Sequence, residues 1–353
     1  MHLLLDVSTH GFGHLAQVAE VVNALGRRVP DLHATVRADL PADLLSDRIR
    51  VPFDPLPQRL DVGMVMGDAL TVLPEASLRA YADYHAEWPD RVAAQAQEMT
   101  GLAPDLVLAD VPYLSMAAAR QAGVPAAALC SLDWAGVLDA YCGHLPGAAA
   151  IRAEIEAAYR EAALFLQPRP HMPMAYLANR REVGPIAARP ETPAAELRRR
   201  LPAAERVCLV SLGGLPFALP LERWPEMAGT RWVVPGEVPD RPDMVSLADT
   251  GLSHIEAVAA CDVVVTKVGY ATIVEAACNG TDILYLPRGD WPEEPFLEAW
   301  MADNARSETV SREALESGDL GPALAALQER PRPHRPEASG AGEAAEGLLG
   351  LLA

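Results

Sequence analysis

The sequence predicts an α/β protein built from two doubly wound, Rossmann-like domains facing a cleft. Three observations carry that prediction. A short apolar run, a glycine turn, a helical segment and a second apolar run follow one another, which is the order of a βαβ unit in a parallel sheet. The same order returns in the second half of a 353-residue chain, longer than one hydrophobic core usually organises. Between the halves lies QPRPHMPM, Gln167 to Met174, too rich in proline to continue a helix. The boundary is therefore expected near 170 to 185, with an N-terminal domain over 1–175 and a C-terminal domain over 176–353.

The elements justify this in order. MHLLLDVS reads as a strand, HGFGH as a glycine loop, Leu15 to Leu25 as a helix, and HATVRA as a second strand. PDLVLAD, ending at Asp110, reads as a buried strand, MAAARQAG as a helix stopped by glycine, and VPAAALCS as the next strand. A mainly helical stretch runs from about Gly147 to Leu166. In the second half RVCLVSLGG is a strand entering the double glycine Gly213 and Gly214, followed by TRWVVPG, CDVVVTKVGYATIVEAACNG and TDILYLPR. PRPHRPEASGAGE reads as a loop and AAEGLLGLLA as a last short helix, which could pack back on the N-terminal domain.

Composition narrows the partners. Lys plus Arg total 29 against 48 Asp plus Glu, and a net charge of −19 disfavours nucleic acid and strong membrane association. Cys130, Cys142, Cys208, Cys261 and Cys278 form no CxxC pair and sit among apolar residues, as reduced core cysteines of a cytoplasmic protein do. They suggest no metal site. The start lacks a basic signal-peptide region, and no uncharged apolar stretch approaches the roughly 18 residues of a membrane span.

Ligands of open parallel sheets bind beyond the carboxyl ends of strands, so chemistry is expected where strands meet glycine loops. In STHGFGHLAQ, Gly11 and Gly13 let the backbone turn and approach a ligand, and the following helix offers unpaired N–H groups. His10 and His14 flank that turn, either as site residues or as structural histidines at a strand end. Ala16 occupies the third-glycine position of a dinucleotide fingerprint, so that reading fails.

Lys267 is the only lysine, against 28 arginines. It ends the run VVVTK, with Gly269 allowing a close turn and Thr272 opening a helix that carries Glu275 one turn in. An ammonium and a helix N-terminus aimed at one point make an anion site, for which phosphate is the natural ligand. The alternative is a plain ion pair of Lys267 with Glu275 or another carboxylate. In RGDWPEEPFLEAW, Glu293 and Glu294 lie between Pro292 and Pro295, placed either to accept hydrogen bonds from hydroxyls or simply to favour a helix start. SHIE, Ser253 to Glu256, fits a capping box.

These residues carry a resemblance. CDVVVTKVGYATIVEAACNGTDILYLPR resembles the nucleotide-sugar half of GT-B glycosyltransferases such as the one that makes lipid II, and HGFGH falls where that family has its first glycine loop with a histidine. HGFGH, TKVGYATIVEA and EEPFL together are more similar to the glycosyltransferase-like N-terminal region of plant L-arabinokinases and bacterial stand-alone relatives, with PDLVLAD, SLDWAG and HMPM extending the likeness over most of the chain. Nothing resembles a sugar-kinase phosphate loop.

The resemblance implies a GT-B enzyme that moves a sugar from a nucleotide diphosphate donor to a hydroxyl acceptor without a cofactor. It places His14 at the first-loop histidine and Lys267 at the diphosphate, with Glu275 on the ribose. Glu293 and Glu294 stand where many transferases have Asp-Gln or Gln-Gln at the donor sugar, and GHLAQ replaces the GHATR of close relatives. Gly11, Gly13, Gly213, Gly214, Gly269 and Thr272 complete the donor-binding expectation. No metal is required if Lys267 and the helix beginning near Ala271 stabilise the departing diphosphate. His14 is the expected base, kept neutral by the helix beneath it, with Asp110 its competitor and Trp134 lining the acceptor side or serving as core. Two other classes remain: a non-catalytic nucleotide-sugar sensor, consistent with GHLAQ, and a nucleotide-sugar epimerase, consistent with the glutamate pair.

Overall fold

HLLLDV forms β1 (His2–Val7) in a computed structural model of the chain, which describes residues 1–68, 70–213 and 219–352. It is followed by β2 (His33–Arg37), β3 (Phe53–Leu56), β4 (Leu106–Asp110), β5 (Ala126–Leu129), β6 (Leu164–Pro168) and β7 (Arg180–Val183). All pair in parallel, in the order β3-β2-β1-β4-β5-β6-β7. Leu3, Leu4 and Leu5 are all wholly buried, as expected of a strand covered on both faces, which is why β1 reads as a continuous apolar run without alternation. One ion pair crosses this apolar layer. Asp6 lies opposite Arg37 in the β1–β2 register, and Arg37 Nε and Nη2 donate to its carboxylate at 2.7 and 2.6 Å.

The second sheet holds β8 (Arg206–Ser211), β9 (Thr230–Val234), β10 (Met244–Ser246), β11 (Val263–Lys267), β12 (Asp282–Leu286) and β13 (Ser307–Thr309). It is also parallel, ordered β10-β9-β8-β11-β12-β13. Its core gathers Val207, Leu209, Val264, Ile273, Val274, Ile283 and Leu297. Each sheet reverses its winding beside its first strand, at β1/β4 and at β8/β11. That topological switch point is where open sheets bind ligands.

The chain divides into two compact units, Met1–Ile186 with Ser339–Ala353, and Ala187–Ala338. The division lies beyond residue 175 because β7 pairs with β6 and so belongs to the first sheet. The helical stretch expected up to Leu166 ends sooner: the helix covers Ala148–Arg160, and Leu164–Pro168 is a strand laid between β5 and β7. The last helix, Gly340–Leu349, packs on the helix Gly13–Gly26, with Ala341, Ala344, Ala345 and Leu348 in the first unit's core. The backbones meet there at Gly184 and Gly340, where a Cβ on Gly340 would lie 1.9 Å from the Gly184 carbonyl oxygen. All five cysteines are buried and none is in a disulfide. Among the described residues no helix is long and apolar enough to cross a membrane.

Candidate functional site

In the first unit the functional groups converge where β1 and β4 end side by side. Val7 is in register with Asp110, and the Ser8 N–H donates to the Asp110 carbonyl at 2.7 Å, so the loop after β1 is tied to the end of β4. Gly11 takes φ +98°, a left-handed value that favours glycine, and Gly13 begins the helix Gly13–Gly26. That helix carries His14 in its first turn, where the ring reaches Asp110: His14 Nδ1 and Asp110 Oδ1 are 2.7 Å apart. His14 is 6 % exposed and Asp110 is wholly buried. The two residues considered as rival bases are thus one hydrogen-bonded pair. Burial pushes the Asp110 carboxyl up, opposed by the His14 ring.

Cys130, just beyond β5, brings its Sγ to 3.7 Å from His14 Nδ1, so a histidine, a carboxylate and a thiol lie together. A tetrahedral metal bound at about 2.0–2.1 Å would hold its nitrogen and oxygen ligands roughly 3.3 Å apart. At 2.7 Å the His14 and Asp110 atoms are within hydrogen-bond distance of each other.

Sequence reasoning missed Asp61. This carboxylate, 3 % exposed, sits in the loop after β3, accepts from Trp134 Nε1 at 2.8 Å and is hydrogen-bonded to Ser8. Burial pushes its carboxyl up as well, with Ser8 and His14 opposing. Trp134 is wholly buried and does not line an open surface; its ring lies 5.8 Å from that of His14 and 5.2 Å from that of His10. His10 accepts the Met64 N–H at Nδ1, 3.3 Å away, which fits a loop-shaping role.

In the second unit Lys267 ends β11 at the switch point beside β8. Its ammonium approaches Gly213, which has φ +84° and whose added Cβ would lie 3.8 Å from Nζ. Gly214 lies outside the described residues. Among the described residues no carboxylate forms an ion pair with Lys267, so the alternative pairing with Glu275 is not made. Burial lowers the Lys267 pKa to about 8, aided by the nearby Arg288 charge and opposed by Glu293. Lys267 is thus a half-buried cation with a second cation close by and, among the described residues, no carboxylate in ion-pair contact.

The helix that follows spans Tyr270–Asn279 with Gly269 as N-cap, so it opens two residues before Thr272. Gly269 has φ 179° and is extended, not turned, and nothing lies within 4 Å of a Cβ built there. Thr272 is half-buried in the first turn and Glu275 is buried further along. The glutamate pair divides in function. Glu294 accepts the backbone N–H of Arg288 at 2.9 Å and of Gly289 at 2.7 Å, fixing the loop before its own helix. Glu293 accepts from Trp291 Nε1 at 3.3 Å, and the Arg288 guanidinium lies 4.0 Å above the Trp291 ring. His254, in the capping box of its helix, is within 2.8 Å of the Ser211 hydroxyl through Nε2. A cavity of about 320 Å³ opens at the opposite, amino-terminal end of the second sheet, beside Arg206, Asp282 and Arg332, and includes none of the expected site residues.

No family model matches the chain. It is 27 % identical over 307 residues to an L-arabinokinase of Arabidopsis thaliana, a match that takes in 82 % of this chain and 28 % of that protein. The chain thus spans less than a third of that curated relative. Among solved structures it is similar to the glycotransferase of kitacinnamycin, with a TM-score of 0.61 and 18 % identity over 99 % of this chain and 94 % of that one. The calicheamicin glycosyltransferase CalG4 gives a TM-score of 0.61 and 16 % identity with the same coverage. Arabidopsis thaliana UGT89C1, solved with UDP, gives 0.57 and 14 % over 99 % of both chains. Two Rossmann-like units with parallel sheets, shared with these glycosyltransferases over nearly their whole length, give this chain the GT-B architecture.

Proposed function

We propose that the protein is a glycosyltransferase that moves a sugar from a nucleotide diphosphate sugar to a hydroxyl acceptor. The observation that carries the reading is the buried His14–Asp110 pair at the switch point of the first sheet. A carboxylate can only accept, so Asp110 holds the proton on Nδ1 and leaves Nε2 as the basic nitrogen of the ring. His14 then takes the acceptor hydroxyl proton as its oxygen attacks the anomeric carbon and the bond to the diphosphate breaks. Asp110 is a positioning residue that also favours the imidazolium as it forms.

The second unit supplies the donor site in this reading. Lys267, with the N-terminus of the helix Tyr270–Asn279, meets the diphosphate and offsets the charge that grows as it departs. Glu275 holds the ribose and Glu293 the donor sugar, while Gly213 and Gly269 keep backbone close to the ligand and Thr272 faces it from the first turn. Glu294 acts through the loop it fixes. UGT89C1 was solved with UDP and the glycosyltransferase VinC with dTDP, so sugars on these two nucleotides are the first to try.

The test is turnover of a panel of UDP- and dTDP-sugars, followed by mass spectrometry. His14→Ala should abolish turnover yet leave donor affinity within a few fold, because a general base contributes typically about 10² to 10⁴ in rate. A wild-type protein that binds such sugars and turns over none, across a broad acceptor set, is a sensor and not an enzyme.

A further inference from the structure

His14 is surrounded by polar groups withdrawn from water. Ser8, Gln17, Asp61, Asp110 and Ser131 are each no more than 3 % exposed. They are linked in part: Gln17 Nε2 donates to Ser131 Oγ at 3.2 Å, and Trp134 Nε1 to Asp61 Oδ2 at 2.8 Å. Two acceptor atoms are not. Among the described residues Gln17 Oε1 and Asp110 Oδ2 are buried without a hydrogen-bond partner. Asp61 is the least expected member, because Asp110 already orients His14 and the Asp61 charge raises the cost of ionising Asp110. Trp134 Nε1 fixes that carboxylate, and its ring lies 5.8 Å from that of His14, so the position of Asp61 is built, not incidental.

A flat apolar acceptor would leave these oxygens unpaired and is disfavoured, whereas a molecule with several hydroxyls brings the donors they lack. We propose that the acceptor is polyhydroxylated, of the sugar or cyclitol class, and that Asp61 accepts a hydrogen bond from a hydroxyl next to the one whose proton His14 takes. The proposal rests on the transferase reading of the same site. No bond forms or breaks at Asp61, which makes it a specificity-determining residue.

The experiment titrates the intact, UDP-saturated protein with D-glucose, D-galactose and myo-inositol, and separately with the phenols quercetin and pterostilbene, by calorimetry. At least one polyol is expected to bind, and Asp61→Asn to weaken it tenfold or more with an unchanged melting temperature, since the amide oxygen can still accept from Trp134. Trp134→Phe, which removes the anchoring donor, should weaken the same ligand. Binding of a phenol with no polyol, binding of none of the five, or polyol affinity indifferent to Asp61→Asn would each overturn the proposal. Once a substrate is in hand, a loss confined to kcat with KM unmoved would also overturn it, because Asp61 would then act only on the imidazolium. Donor turnover measured on the same samples keeps the two readings apart: polyol binding without any turnover sinks the transferase and leaves the polyol site standing.

Discussion

Replacing Lys267 by alanine should weaken nucleoside diphosphate binding at least tenfold, and the loss should depend on pH in a way no neutral residue could imitate. In the free protein the ammonium has a pKa of about 8, lowered by burial and then by Arg288. A phosphate oxygen about 4 Å away at an effective dielectric near 20 attracts it by roughly 4 kcal/mol, equivalent to about three pKa units in the complex. Because burial already lowers the Lys267 pKa in the free protein, part of its desolvation cost falls on folding, and the phosphate's own desolvation removes part of the rest. Tenfold to hundredfold in affinity is the expected remainder. Below pH 8 the wild-type affinity for UDP should be level. Above it each binding event must also take up a proton, so Kd should rise by about tenfold per pH unit, a dependence absent from Lys267→Ala. Linkage gives the stability a matching sign: between pH 8 and the ordinary lysine range the unfolded chain binds more protons, so the unliganded wild type should gain stability relative to the variant as pH rises. Calorimetry with UDP, dTDP and uridine from pH 7 to 9.5 measures the first effect, and uridine should feel it least. Equal UDP affinity in the two proteins at pH 7, with equal melting temperatures, would refute the phosphate role.

Asp110→Asn keeps the shape but loses the charge that holds the Nδ1 proton, so turnover should fall by about 10² to 10⁴ while UDP affinity, measured by calorimetry, stays within a few fold. His10→Ala, in the same loop, should cost far less turnover because His10 meets the Met64 N–H and the edge of Trp134 and, in this reading, only shapes the loop. Glu294→Ala leaves the Arg288 and Gly289 N–H groups without this acceptor and should destabilise the protein by about 1–3 kcal/mol in urea unfolding. Gly340→Ala forces a methyl against the Gly184 carbonyl and should cost about 1–3 kcal/mol in the same assay.

What the sequence made legible follows the physics of burial. Central strands β1, β4, β8, β11 and β12 are apolar on both faces and announce themselves as runs such as LVLAD and VVVTK. Five strands went unread as such: β6, taken as the end of the helical stretch before it, and β3, β7, β10 and β13, which are the four sheet edges, three or four residues long, where exposed positions like those of RREV carry no apolar signal. The site divides in the same way. His14, Asp110 and Lys267 stand at ends of readable strands or loops, so their positions could be anticipated, although not that the first two would touch across 96 residues. Asp61 belongs to no motif, and its meaning comes from a hydrogen bond to a tryptophan 73 residues away. The glutamate pair looked symmetrical as EE, yet a helix start turns one carboxylate back on the preceding backbone and leaves its neighbour with the tryptophan.

The helix Gly340–Leu349 completes the first unit with residues made after the whole of the second. During synthesis the groove over the helix Gly13–Gly26 must wait, open and apolar, while all of Ala187–Ala338 is made. Domains commonly fold as units in the order in which they leave the ribosome. Here the order is reversed in part, since the second unit is contiguous and can close while the first still lacks Ala341, Ala344, Ala345 and Leu348. A nascent chain arrested just short of Ser339 should therefore present a protease-resistant second unit joined to a first unit that chaperones still hold.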